Sequence, residues 1–289
     1  MRSYSFDALA DTFDQTRTID PAAFDGALAY IVERFPPDRY SAALEIGVGT
    51  GRIATPFAAR GYRVVGIDIS PRMLQHLTNR WSHQRAKRVQ PLLADATALP
   101  FQSDSFDLVY WIHVLHLIPN WRRAVDEALR TLRPGGVVMG MGTGRGREIP
   151  LLFRRYQRIA QRYGFSRPRL GARRRETVFR YLIERGCTVR RIPHQWTWVT
   201  DVPVAQALED IQARVYAAVR FTPARAHEKI MTELRRWARA RWDGDTPTVR
   251  VPSSITLQLA FKPRRGRSRR KSSPAPGETR RRVLRTQKS

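Results

Sequence analysis

The stretch Leu44-Glu45-Ile46-Gly47-Val48-Gly49-Thr50-Gly51 decides how the chain reads. Leu44 and Ile46 have the character of a buried strand, and Gly47, Gly49 and Gly51 then let the backbone turn sharply and approach a ligand that a Cβ would obstruct. A helix is expected from near Arg52, closed by Gly61 at the position just past a helix end where glycine is favoured. Working outward, RVVGIDIS (Arg63 to Ser70) supplies a second strand ending on Asp68, which makes a βαβ half-unit of an α/β fold. Asp68 follows Gly47 by 21 residues, about the spacing at which a carboxylate accepts hydrogen bonds from the two hydroxyls of an adenosine ribose. The expected ligand is a nucleoside. Glycine also serves plain turns and close packing, and for the loop taken alone that reading stays open.

The loop is not a dinucleotide fingerprint. Counted from Gly47, the last glycine of G-x-G-x-x-G falls on Arg52, and the glycine arrives one residue early at Gly51, so NAD is the weaker ligand. Downstream, Ser70-Pro71 reads as an N-cap and a first-turn proline opening a helix through Met73, Leu74 and Leu77. LLADATALPF (Leu92 to Phe101) is a short strand running into a loop at Asp95. An apolar strand from Phe106 to Trp111 is followed by His113 and His116, and the helix WRRAVDEALRTL ends at Pro134-Gly135-Gly136 before the strand VVMGMG. These ordered motifs over residues 40–142 resemble class I S-adenosylmethionine-dependent methyltransferases, and among them the small-molecule enzymes related to the quinone-biosynthesis C-methyltransferases.

The resemblance implies a Rossmann-like, mostly parallel seven-stranded sheet with helices on both faces, an antiparallel final strand and a helical lid. It implies that Glu45 with Gly47, Gly49 and Gly51 holds the methionine portion of S-adenosylmethionine and that Asp68 holds the ribose. Ile69 and Met73 would edge the adenine pocket, and Asp95 with Ala96 would meet the adenine. A carboxylate suits the exocyclic N–H of adenine, with a plain turn role for Asp95 as the other reading. The segment bearing Tyr4, Phe6, Phe13 and Arg17 would fold over the cofactor; packing of the first helix accounts for Tyr4 and Phe13 equally well. Transfer of a methyl from a sulfonium depends first on positioning two bound reactants. A base is needed only where the acceptor loses a proton, and His116 and His113 are the candidates, with a structural role as the alternative. His194, Trp196, Tyr181 and Tyr216 are candidates for the acceptor pocket, and packing accounts for these aromatics equally well.

Two absences narrow the chemistry. The fourth strand is followed by Trp-Ile-His-Val and not by the Asn/Asp-Pro-Pro-aromatic motif of enzymes that methylate base amines. Cys187, the single cysteine, lies outside the cofactor half, which argues against C5-pyrimidine methylation through a thiolate and rules out a cysteine-based zinc site.

The charge is uneven along the chain. Lys and Arg number 16 against 14 acidic residues in 1–143, 24 against 10 in 144–261, and 12 against 1 in 262–289. Basic character therefore surrounds the substrate side and the end of the chain. Residues 1–40 are expected as an N-terminal helical cap and 41–261 as the methyltransferase domain, with a helical lid inserted at about 201–245. Residues 262–289, with three prolines and few apolar residues, are expected as a disordered basic tail. The tail fits RNA, another polyanion, or no defined partner. The leading function is methyl transfer to a small organic acceptor. An RNA-directed methyltransferase using the basic second half is the alternative, and a cofactor-binding protein without turnover is the third. No apolar run has the length to cross a bilayer, and a cytoplasmic protein is expected.

Overall fold

The computed structural model describes residues 3–14, 19–82, 89–145, 148–166, 168, 170–172, 174–242 and 247–264. Eight strands, β1 (Ala42–Ile46), β2 (Arg63–Asp68), β3 (Val89–Leu93), β4 (Phe106–Ile112), β5 (Leu132–Arg145), β6 (Thr188–Arg191), β7 (Trp196–Pro203) and β8 (Thr248–Phe261), form one sheet. Their order is β3-β2-β1-β4-β5-β8-β6, with β7 also paired to β8. Strands β1 to β5 pair in parallel, and β8 runs antiparallel to β5, β6 and β7. The chain runs outward from β1 through β2 to β3, then returns to lay β4 on the other side of β1. That reversal opens a crevice at the carboxyl ends of β1 and β4, where ligands of such sheets bind.

Residue alternation sorts the two faces, because successive side chains of a strand point to opposite sides. Ala43, Leu108, Tyr110, Val137 and Met139 pack with α1 (Pro21–Arg34), α2 (Ala54–Ala59) and α3 (Pro71–Ser82). Leu44, Ile46, Val109, Trp111 and Val138 pack with α4 (Trp121–Thr131) and α6 (Arg175–Glu184). Local signals start these helices: Asp20 accepts the Ala23 N–H at 2.8 Å ahead of Pro21, and Ser70 Oγ accepts the Met73 N–H at 3.1 Å ahead of Pro71.

A third core joins α5 (Glu148–Arg162), α7 (Val204–Gln212) and α9 (Ala224–Arg241) to the start of β8 through Leu152, Tyr156, Ile211, Ile230, Leu234 and Val251. Residues 202–220 read as one helix in the sequence, whereas the structure breaks them into α7 and the short α8 (Ala217–Arg220). Arg214 stands at φ 56° between them. Its guanidinium donates to the Thr222 and Arg220 carbonyls while Arg220 Nε donates to Arg214 O at 2.9 Å, a reciprocal clasp that a continuous helix does not permit.

The sheet has one strand more than the seven expected, because residues 188–203 are divided into β6 and β7 around Pro193, whose nitrogen has no proton for a ladder. The 14-residue β8 is long enough to carry β7 along residues 248–255 and β6 along 258–261. Lys262, expected in the tail, belongs to the folded body. Its Nζ donates to Asp104 Oδ1 at 3.0 Å, to Leu129 O at 2.8 Å and to Leu132 O at 2.5 Å. Replacing Lys262 by Met leaves these acceptors without their donor and is expected to lower unfolding stability by about 1–3 kcal/mol. An unchanged urea midpoint would show that the ammonium contributes nothing. The rest of the tail, residues 265–289, lies outside the described residues.

Candidate active site

A cavity of about 430 Å³ lies at the crevice, within the size range of small-molecule sites. The ends of β1, β2 and β4 supply its floor: Glu45 and Gly47, then Asp68, then Ile112 and His113. Ile69, Met73, Ala94 and Ala96 give one apolar wall. Tyr4, Phe6 and Phe13 line it from the N-terminal segment, with Trp198 of β7 and Tyr216 from the loop before α8. Arg17 lies outside the described residues.

Glycine does three different things in the loop. A Cβ on Gly49, at φ +55°, would meet nothing within 4 Å, so this position alone opens onto empty space. A Cβ on Gly47 would come within 2.6 Å of Val114 Cγ2, and one on Gly51 within 2.0 Å of Leu77 Cδ1. Gly51 does not line the cavity; its small size lets the loop sit against α3.

Asp68 is both wall and brace. Its Oδ2 accepts the Gly49 N–H at 2.9 Å and its Oδ1 accepts the Ser70 N–H at 2.9 Å, so one carboxylate fixes the loop and the entry to α3. Each oxygen retains acceptor capacity toward the cavity. Burial raises its pKa above the ordinary value, against the pull of those backbone N–H groups.

Glu45 is 2% exposed and sits opposite Tyr110 of β4 in the ladder. Its Oε2 and the Tyr110 hydroxyl are both buried without a hydrogen-bond partner. Burial drives the Glu45 pKa up to about 8, against the smaller opposing effects of the neighbouring Tyr110 hydroxyl and the Arg52 guanidinium. The native state therefore keeps a proton that the unfolded chain, at 4.5, gives up. Glu45 therefore contributes stability to the ligand-free protein that is lost as pH rises from about 5 to about 8, the window between the two values. Thermal unfolding across that range is expected to show this decline, and Glu45→Gln is expected to flatten it. Identical slopes for the two proteins would contradict the assignment.

The remaining candidates divide. His113, at φ 50°, is exposed to the cavity, and its Nε2 is 2.6 Å from Thr143 Oγ1 and 3.3 Å from the Thr143 N–H that it accepts. His116, in the 3-10 helix Leu115–Leu117, lines the same cavity. Asp95 does not line it, although Ala94 and Ala96 do; its Oδ1 accepts both the N–H and the hydroxyl of Thr97 at 2.8 Å, a turn. Tyr181 is on the far face of the sheet, donating to Asp126 and packed on Trp121. His194 stacks edge-on with Trp196, which packs against Tyr30 of α1, so neither reaches the cavity.

Sequence reasoning did not assign Arg52, Thr143 or Trp198 to the site. Thr143 carried a usable signal, since it stands at the carboxyl end of a parallel strand. Trp198 depended on recognising β7.

The N-terminal segment is latched over the cavity by its acids. Asp7 accepts from Ser70 Oγ at 2.7 Å and from the Arg72 N–H at 3.1 Å, and those bonds hold its pKa below the usual range. Asp11 pairs with Arg72 at 2.6 Å and with His76 at 2.9 Å, and Asp14 accepts from the buried Thr50 hydroxyl at 2.6 Å. Asp7 also caps N–H groups at the start of α3 that the helix leaves unpaired.

Comparison with known proteins agrees with this geometry. Residues 44–140 match the family described as "Methyltransferase domain". The chain is 34% identical over 138 residues to the demethylmenaquinone methyltransferase of Clavibacter sepedonicus, a match covering 47% of this chain and 56% of that protein. It is 31% identical over 134 residues to the malonyl-[acyl-carrier protein] O-methyltransferase of Salmonella typhimurium, covering 46% and 50%. The matches thus span about half the length of these curated relatives. The crystal structure of the YcgJ protein from Bacillus subtilis superposes with a TM-score of 0.57 at 18% identity, covering 84% of this chain and all of that one, which is a likeness of fold. Over residues 44–140, which hold β1 to β4 and most of β5, the chain is thus similar to the methyltransferase domain family, in keeping with the fold expected from its motifs.

Proposed function

We propose that the chain transfers a methyl group from S-adenosylmethionine to a small organic acceptor. The observation that carries this reading is the buried Glu45 carboxyl, whose Oε2 has no hydrogen-bond partner, together with the open approach at Gly49 and with Asp68 in the same cavity. A buried carboxyl oxygen without a partner is costly, and a cationic amino group is a complement that relieves it. Asp68 offers acceptor positions for ribose hydroxyls, and Ile69, Met73, Ala94 and Ala96 offer an apolar wall for an adenine ring. When bound, S-adenosylmethionine supplies an activated methyl on a sulfonium, so the protein need not provide a nucleophile.

The chain's own contribution is then placement and exclusion of water. Tyr4, Phe6 and Phe13 roof the cavity, and a 5.4 Å ring contact between Tyr4 and Phe221 joins that roof to the end of α8. We assign residues 201–245 the role of a lid on this basis. His113 and His116 both line the cavity, and either is a candidate to take a proton from an acceptor that must lose one.

The two curated relatives are named for different acceptors, so likeness supports methyl transfer and leaves the acceptor to experiment. The test is incubation of the full chain with methyl-labelled donor and two separate pools, extracted metabolites and total RNA. Label entering the metabolite pool supports the proposal; label entering only RNA, or neither pool, contradicts it.

A further inference from the structure

A second cavity, of about 620 Å³, opens beyond the His113–Thr143 contact. His113, Val114, His116 and Thr143 line both cavities and form their common wall. The other sides of the second cavity have two characters. Trp111, Met141 and Phe179 are apolar, while Arg174 and Arg175, at the start of α6, are cationic. The Arg174 guanidinium makes no hydrogen bond or ion pair among the described residues. Arg175 donates to Thr256 Oγ1 and lies over Gly142, where a Cβ would come within 2.4 Å of its guanidinium. That contact seats the group while engaging one of its five N–H donors. Glu176 also lines the cavity, but it stands in the first turn of α6, where a carboxylate complements the helix's unpaired N–H groups. Trp111, Met141, Phe179, Arg174, Arg175 and Glu176 do not line the first cavity.

We propose that this second cavity binds the anionic group of the methyl acceptor, a carboxylate or phosphate on an apolar body, with Arg174 and Arg175 as counter-charges. The inference rests on the methyl-transfer reading above. Guanidinium groups bind planar oxyanions through paired N–H bonds, and Trp111, Met141 and Phe179 give the apolar body a surface to cover. An acceptor held here by its charged end meets the donor's cavity at the wall carrying His113 and His116.

The test uses the full chain and three fluorinated probes followed by fluorine NMR: 4-fluorobenzoate, 4-fluorophenyl phosphate and uncharged 4-fluorobenzyl alcohol. Each is titrated with and without saturating S-adenosylhomocysteine, whose own affinity is measured on the same samples. At least one anionic probe is expected to bind about ten-fold or more tightly than the alcohol. Arg174→Ala is expected to reduce that binding by a similar factor while leaving S-adenosylhomocysteine affinity within about two-fold, and Arg175→Lys to weaken it less. The benzoate and phosphate arms show which oxyanion the site prefers. Anions binding no better than the alcohol, anion binding unaffected by Arg174→Ala, or displacement of the anion by S-adenosylhomocysteine would each overturn the proposal. If the anion binds and S-adenosylhomocysteine does not, the site's assignment to a methyl acceptor falls with the methyl-transfer reading. If S-adenosylhomocysteine binds and the anion does not, only this inference fails.

Discussion

Asp68→Ala is expected to weaken S-adenosylhomocysteine binding by about 100-fold or more, the largest effect of any single side-chain truncation in the site. The carboxylate acts twice. It offers acceptors to the ligand, and it holds the Gly49 and Ser70 N–H groups at 2.9 Å each, so its removal costs the ligand its partner and the loop its shape. Charge-assisted bonds of this kind contribute about 1.5–3 kcal/mol apiece. Asp68→Asn keeps one good acceptor but turns an N–H₂ toward a backbone donor, and an intermediate loss is expected. Calorimetric titration reads the affinity and thermal unfolding reads the loop. Unchanged affinity in Asp68→Ala would remove the carboxylate from the site.

The second large effect separates two glycines that look alike in the sequence. Gly51→Ala places a methyl 2.0 Å from Leu77 Cδ1 at a residue with φ +76°, so steric overlap and a left-handed backbone act together. A loss of about 3 kcal/mol or more in unfolding stability is expected, with reduced soluble yield. Gly49→Ala meets no protein atom within 4 Å and carries only the backbone penalty of φ +55°, about 1 kcal/mol. Its methyl projects into open space at the cavity, so ligand affinity, and not stability, is expected to take the larger loss. Equal destabilisation by the two substitutions would show that the loop's glycines share one role.

That contrast marks what the sequence could convey. The βαβ unit, the end of β2 at Asp68 and the Ser70 cap were legible because each depends on neighbours within a few positions. The division of labour among Gly47, Gly49 and Gly51 was not, because it is set by Val114 and Leu77, which come from distant elements. Asp95 shows a related limit: its place after a strand is visible in the sequence, whereas its turn bond to Thr97 and its position outside the cavity are tertiary facts. The break at Arg214 was hidden because Leu208, Ile211, Val215 and Val219 keep helical spacing through it. Likewise Pro134-Gly135-Gly136, read as a turn before a strand, lies within β5, where the register with β4 shifts between Phe106 and Leu108. Residues 133–136 of β5 there lie opposite the single residue Asp107 of β4, and parallel pairing resumes at Val137.

The central claim is that the cavity at the ends of β1, β2 and β4 takes an adenosyl sulfonium donor. The most direct measurement is calorimetric titration of the full chain with S-adenosylmethionine, S-adenosylhomocysteine and NAD, repeated from about pH 6 to about pH 9. The account predicts that both adenosyl ligands bind and NAD does not. It also predicts that S-adenosylmethionine affinity rises with pH and levels off near the Glu45 value of about 8, because below it the ligand's positive charge must expel a proton. Preference for NAD, or no binding of either adenosyl ligand at any pH, would contradict it.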